Sequence, residues 1–186
     1  MEMTRCNWVT TDELYIKYHD EEWGKPVYDD ATIFEFLVLE SFQAGLSWIT
    51  ILKKRENFRQ AFDGFNYQKI ATYNEAKVEE LLQNAGIVRN RLKVLAAINN
   101  AQRFMEVQKE FGSFSKYIWG FVNHQPIVNA FQNIKDVPAT TEISDALAKD
   151  LKKRGFKFLG STVIYAYMQA TGMVNDHITS CICYKN

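Results

Sequence analysis

Cysteine and histidine are scarce in this chain of 186 residues, with three of each. Three cysteines make a poor disulfide framework, because pairing leaves one over and a reducing compartment keeps thiols free. No uninterrupted apolar run approaches the roughly 18 residues of a membrane span. The N-terminus also lacks the charged, apolar and small-residue order of a secretory leader. The expectation is a cytoplasmic protein with no membrane partner. Net charge is missing too, since 22 basic residues face 22 acidic ones. Neither an internal repeat, a low-complexity tract nor a Pro/Gly/Ser linker divides the sequence, so 1–186 reads as one domain. What is present, 47% hydrophobic and 24% charged residues, is the composition of a chain that folds by burying a core.

Scarcity makes placement informative. The segment "NDHITSCICYKN" holds His177, Cys181 and Cys183 within seven residues. His177 and Cys181 are separated by three residues, a spacing that lets two side chains meet one zinc ion. Two ligands do not complete a tetrahedral site, and the remaining candidates are Cys6 with His19 or His124. Cys6 and His19 are separated by twelve residues near the other end of the chain, so a Cys2His2 site would tie the two ends together. Such a site would be structural, because four protein ligands leave no position for a reacting water. The alternative is two packed histidines beside small buried thiols. Cys183 stands too close to Cys181 for both to join most tetrahedral sites and is the spare.

The glycines mark out helices. Gly45, Gly64, Gly86, Gly112, Gly155 and Gly172 each follow a run of helical periodicity, where a left-handed C-cap is expected. Helices are predicted over 31–44, 48–61, 75–85, 90–110, 114–121, 144–154 and 161–171, with Asp30, Ser47, Asn74, Ser113 and Ser144 as N-caps. The fold class is all-α. "KFLGSTVIYAY" is rich in β-branched and aromatic residues, but one strand without a partner makes no sheet, and it is read as helix.

Within "FLVLESFQAGLSW", Glu40 shares a helical stripe with Ile33, Phe36, Leu37 and Ala44 and so faces the core. An ionised carboxylate there costs several kcal/mol unless paired, which makes it either an internal salt bridge or a functional group. Trp8, Tyr15, Tyr18, Trp23 and Trp48 crowd nearby in sequence and offer stacking surfaces for a flat ligand, although ordinary core packing explains any one of them. Basic residues cluster at Lys53, Lys54 and Arg55; at Arg89, Arg91 and Lys93; and at Lys149, Lys152, Lys153, Arg154 and Lys157. A solvated helix face and a phosphate-binding face both fit such clusters. In "LLQNAGIVRNRLKVLAAI" two helices flank a turn at Gly86, with Arg89, Arg91 and Lys93 just beyond. This pattern looks like a helix-hairpin-helix aimed at a DNA phosphate.

Taken in order, "RCNWV", "YIKYHDEEWG", "ESFQAGLSWITILKKRENFRQAF", "NAGIVRNRLK", "WGFVNHQP", "SDALAKDLKKRGFKF" and "GMVNDHITSCICY" resemble the bacterial 3-methyladenine DNA glycosylase I family over nearly the whole chain. The resemblance implies an all-helical helix-hairpin-helix glycosylase fold and a monofunctional enzyme that flips 3-methyladenine out of duplex DNA and excises it hydrolytically. It implies one structural zinc ion joining the two terminal segments, with Cys6, His19, His177 and Cys181 as its ligands. Glu40 would be the pocket carboxylate, with Tyr18 and Trp48 and, nearby, Tyr15 and Trp23. From the hairpin pattern itself, DNA contacts are expected on Gly86, Arg89, Arg91 and Lys93, and a monomer is expected. Two departures stand out. "INNAQRFMEV" has no aspartate where many relatives in the wider superfamily carry one, which suits a narrow enzyme acting on an activated cationic base. The turn at Gly86 also lacks the usual Gly-x-Gly. A non-catalytic DNA-binding module would need the hairpin and the zinc but no buried Glu40, and a purely structural helical protein would need none of these.

Overall fold

The computed structural model describes residues 4–184. Nine helices order the described chain: α1 (Glu13–Glu21), α2 (Asp30–Gln43), α3 (Trp48–Ala61), the short α4 (Tyr67–Ile70), α5 (Glu75–Gln83), α6 (Arg91–Phe111), α7 (Phe114–Gly120), α8 (Glu142–Lys153) and α9 (Ser161–Ala170). The extended residues are β1 (Ile127–Val128) and β2 (Val174–Asn175), a parallel pair of two residues each. "STVIYAYMQA" is helical, because burial of Ile164, Tyr165, Tyr167 and Met168 outweighs the β preference of its side chains.

Helix α2 lies at the centre and packs against α3, α6, α7 and α9. Nine residues of α2, from Ile33 to Phe42, are buried, so it is covered on nearly all sides rather than along one stripe. Ala44, placed on that stripe by periodicity, lies past the helix end and is exposed. The depth of Glu40 therefore follows from the position of the whole helix.

The caps shift by a residue or a turn. Asp29, not Asp30, caps α2 by accepting from Thr32 N. Thr141, not Ser144, caps α8, and Ser144 returns the bond from the third helical position to complete a capping box. Ser47 holds the cap position of α3 but makes no side-chain cap bond. Asn74 and Ser113 cap α5 and α7 as expected.

Two glycines matter for close approach. Gly172 has φ +69°, and a Cβ there would stand 2.2 Å from the Lys25 carbonyl carbon. The turn after α9 can thus lie against the 25–26 backbone and direct 174–177 inward. Gly86, expected as a left-handed cap, is not among the positive-φ glycines. Helix α5 ends instead in extended backbone at Asn84, whose side chain accepts from Gly86 N at 2.8 Å. A Cβ on Gly86 would come within 3.0 Å of Asn57 and Asn84, so closeness rather than handedness calls for glycine.

Candidate active site and metal cluster

The C-terminal half of α2, the start of α3, α1 and α9 enclose a cavity of about 210 Å³ lined by Trp8, Tyr15, Tyr18, Trp23, Glu40, Gln43, Trp48, Ile134, Ala166 and Gln169. All five residues singled out as pocket candidates, Tyr15, Tyr18, Trp23, Glu40 and Trp48, meet there. The walls are aromatic: Tyr18 lies 5.5 Å from Trp48, and Trp8 lies 4.9 Å from Tyr15 and 5.0 Å from Trp23, measured between ring centroids.

Glu40 is 3% exposed, and its carboxyl has neither a hydrogen bond nor an ion pair among the described residues. The half-buried guanidinium of Arg55 on α3 is engaged by Glu22 and Glu35 at 2.7–3.0 Å. The internal salt bridge that sequence alone left open is therefore not formed. Burial pushes the Glu40 carboxyl up to about 8. Burial, reinforced by the Glu40 charge, also raises the Tyr18 phenol well above its ordinary range. The indole N–H groups of Trp8 and Trp48 are buried without acceptors, a cost of roughly 1–3 kcal/mol each unless a ligand or water accepts from them. The cavity thus combines flat aromatic walls and an unmatched carboxyl. That combination suits a planar, polar, cationic guest.

Behind the aromatic wall, Cys6, His19, His177 and Cys181 are all buried, and their ligand atoms lie within 4.8 Å of one another. The S···N separations are 3.6 Å for Cys6 to His177 Nδ1, 3.5 Å for Cys181 to His177 Nδ1 and 3.4 Å for Cys181 to His19 Nε2. Tetrahedral bonds of about 2.3 Å to sulfur and 2.0 Å to nitrogen set S···N edges of about 3.5 Å, so the quartet fits one metal ion. Each imidazole is fastened at its far nitrogen, as metal-binding histidines usually are. His19 Nδ1 meets Asp20 at 2.7 Å, and His177 Nε2 donates to the Trp23 carbonyl at 3.0 Å. Arg5 grips Asp20 at 2.8–3.0 Å and holds its carboxyl down at about 2. Burial drives His177 down to about 4, keeping the ring neutral and its lone pair available. Cys183 stays outside the quartet, with Sγ 4.0 Å from His19 Nδ1 and its backbone N–H on the Cys181 sulfur.

The residues after Gly86 divide. Arg89 is exposed and has no ion pair among the described residues. Arg91 is engaged by Glu75 and Glu79. Lys93, expected on the same outward face, turns inward: it is 6% exposed, and its Nζ donates to the carbonyls of Phe42 at 2.9 Å and Ala44 at 2.8 Å, capping the C-terminus of α2. The cluster at the α8–α9 turn is the freer one. Lys149, Lys152, Lys153 and Lys157 are exposed and unpaired among the described residues, while Arg154 is held by Glu110 and Asp150.

Sequence reasoning left out five lining residues. Trp8 belonged to the aromatic group but was not assigned to the pocket. Gln43 follows Glu40 by one helical turn and was reachable from that spacing. Ala166 and Gln169 lie one turn apart on α9, and only the packing of α9 on α2 brings them here. Ile134 opens a single 3-10 turn, Ile134–Asp136, for which the sequence carries no signal.

A sequence model described as methyladenine glycosylase matches residues 8–184. DNA-3-methyladenine glycosylase 1 of Escherichia coli (strain K12) is 51% identical over 182 residues, covering 98% of this chain and 97% of that protein. DNA-3-methyladenine glycosylase of Haemophilus influenzae is 49% identical, covering 97% of each. A crystal structure of a 3-methyladenine DNA glycosylase I superposes with TM-score 0.95 at 51% identity, over 97% of this chain and 100% of that one. The Staphylococcus aureus enzyme, solved for the structural basis of 3-methyladenine recognition, gives TM-score 0.95 at 37% identity over 99% and 98% of the two chains. Aromatic cavity, buried carboxyl, Cys/His quartet and end-to-end similarity agree: the chain belongs to the methyladenine glycosylase family.

Proposed function

We propose that this protein is a monofunctional DNA glycosylase that flips 3-methyladenine out of alkylated duplex DNA and hydrolyses its glycosidic bond, leaving an abasic site. The observation that carries this reading is Glu40, a buried carboxyl without a partner at the floor of an aromatic cavity. Adenine methylated at ring nitrogen 3 is cationic in the nucleoside and is already a good leaving group. The pocket need not protonate it. Trp48 stacks on the base, and Glu40 accepts from its amine and balances its charge, with Tyr18 beside them. A cation gains more over an aromatic face than neutral adenine does, so unmodified bases are rejected by weaker binding. Unstacking costs a few kcal/mol and less at a lesion, which favours extrusion of the damaged nucleotide.

DNA contact in this reading centres on the α8–α9 turn, with Arg89 as an additional contact. Lys149, Lys152, Lys153 and Lys157 supply unpaired charge, and α9 begins at Gly160 without a side-chain cap, which leaves first-turn N–H groups for a phosphate. Helix α9 runs from that turn to Gln169 in the cavity, a span of about 12 Å at 1.5 Å per residue.

The Cys6, His19, His177 and Cys181 quartet is proposed to hold one zinc ion, supplying no chemistry to the reaction and tying the two terminal segments together. The protein is proposed to act as a cytoplasmic monomer; among the described residues no helix is long and apolar enough to cross a membrane. Duplex DNA carrying 3-methyladenine, incubated with the protein and assayed for free base, tests the reading. Release above the spontaneous rate, with no strand cleavage, is expected; binding without release would make the protein a DNA-binding module.

A further inference from the structure

Gln169 reaches the cavity wall from α9 and is fastened from behind. Its Nε2 donates to Asp176 Oδ2 at 2.9 Å. Asp176 is fully buried and also receives the Tyr165 hydroxyl on Oδ2 at 2.5 Å and the Asn129 amide on Oδ1 at 2.7 Å. A carboxylate ringed by three donors acts as acceptor to all of them. An amide whose NH2 faces that carboxylate cannot turn over without bringing its own carbonyl oxygen against the anion, so one of its two orientations is removed. The free end of the Gln169 amide is then Oε1. That oxygen has no partner among the described residues and is not among their sealed polar atoms, while the residue lines the cavity.

We propose that Gln169 is a specificity-determining residue of the base pocket, presenting Oε1 as an acceptor to the exocyclic amine of the flipped base, and that Asp176 is the positioning residue that locks this orientation. The proposal rests on the glycosylase reading and deepens it. Adenine carries a donor amine at position 6, where guanine carries an acceptor carbonyl. Glu40 and Gln169 together give the amine two acceptors, one for each hydrogen. Guanine methylated at the same ring nitrogen carries the same charge and the same flat fused-ring face, with an added amine at position 2, so neither stacking nor charge rejects it. A fixed carbonyl facing its O6 does, because two acceptors are then held together with no hydrogen between them.

The test measures both free bases released from methylated duplex DNA, 3-methyladenine and 3-methylguanine, under single-turnover conditions. Gln169→Leu keeps the bulk and removes the amide. It is expected to lower 3-methyladenine release by about tenfold, the factor carried by one hydrogen bond of ordinary strength, while 3-methylguanine release stays level or rises. Asp176→Asn is expected to move the ratio in the same direction by a smaller factor, since an amide at 176 lets Gln169 adopt both orientations. Metal content and melting temperature are measured on the same samples because His177 is adjacent. If Asp176→Asn fails to fold, Gln169→Leu decides alone. An unchanged ratio, or an equal loss on both bases, overturns the proposal while leaving the glycosylase reading intact. A wild-type protein that releases neither base overturns the glycosylase reading and, with it, this proposal.

Discussion

His177 donates through Nε2 to the carbonyl of Trp23 at 3.0 Å, and the two rings stand edge to face at 4.7 Å. The imidazole that offers Nδ1 to the metal quartet is thus fixed, at its other nitrogen, to a wall of the base cavity. Trp8 likewise packs edge to face on His19, at 5.2 Å between rings, while the far nitrogen of His19 is held by Asp20. The metal cluster and the pocket are two sides of one layer of aromatic residues, so ordering one orders the other.

Metal removal is therefore expected to affect the pocket as well as stability. The protein should contain close to one zinc per chain. Structural zinc contributes on the order of 10 kcal/mol in small zinc modules, and a preformed core makes the loss smaller here. Cys181→Ser should lower the melting temperature, change the tryptophan fluorescence of Trp8 and Trp23, and slow excision in the fraction that remains folded. A metal-free native protein with unchanged melting and unchanged rate would remove zinc from this account.

Glu40→Gln separates the function of the carboxyl from its cost. The folded carboxyl sits at about 8 against an ordinary 4.5. Because the folded value is raised, the stability associated with the protonated form is complete below about 4.5 and is lost as pH rises through 8. The shift corresponds to roughly 5 kcal/mol as an upper limit. The glutamine variant cannot ionise and keeps that stability, so its melting temperature should exceed that of the wild type by a margin that widens from pH 5 to pH 8.5. Excision of 3-methyladenine should fall by at least about tenfold, because a charge-assisted hydrogen bond contributes roughly 1.5–3 kcal/mol. A variant that is less stable but excises at full rate would reverse the assignment.

Excision should also depend on pH in one direction. In the free enzyme Glu40 is protonated below about 8, and a cationic base favours the ionised form. The expected kcat/KM rises between pH 6 and pH 8 by up to about tenfold per pH unit, then levels off, and the rise disappears in Glu40→Gln. A flat wild-type profile over that range would show that ionisation of Glu40 does not govern base capture.

The sequence made much of this legible, and unevenly. The quartet could be narrowed because only three cysteines and three histidines compete for four places, and scarce residue types leave few combinations. Glu40 was legible because a carboxylate in an apolar helix has few bland explanations, and the structure removes the remaining one by engaging Arg55 with Glu22 and Glu35. Helix α1 was not legible, since its buried residues Tyr18 and His19 are amphipathic and give a weak apolar period. Gln169 was hidden for a different reason: its role depends on the distant packing of α9 against α2 and on a carboxylate seven residues later. Lys93 misled because a lysine beside two arginines has the pattern of a basic face, and only the tertiary position of the α2 C-terminus shows where its ammonium goes.

The DNA face is expected at the α8–α9 turn. Replacing Lys149, Lys152 and Lys157 together should weaken binding to damaged and undamaged duplex alike and lower the salt slope by about one for each phosphate that is no longer neutralised. Arg91→Ala, which breaks pairs with Glu75 and Glu79, should change that slope little. Affinity measured across a salt series checks both, and a slope that falls with Arg91 but not with the lysines would move the face to the Gly86 turn.

Lys93 gives the remaining prediction, one about how the pocket is held. Its ammonium caps two carbonyls, those of Phe42 and Ala44, at the end of the helix that carries Glu40 and Gln43, and helix ends favour cations there. Lys93→Met keeps the length and apolar stem of the side chain but leaves both carbonyls without their donor. Two charge-assisted bonds are removed in a partly sealed site, so the expected destabilisation is about 2–3 kcal/mol. The turn from Ala44 to Ser47, which leads into Trp48, should loosen with it, slowing excision in the folded protein. Undamaged DNA should bind to Lys93→Met with the affinity and salt slope of the wild type, because the ammonium does not face the duplex. Denaturant melts, single-turnover excision and a salt series on this one variant separate the two roles. A stable Lys93→Met with a reduced salt slope would return Lys93 to the DNA face and leave the end of α2 without its cap.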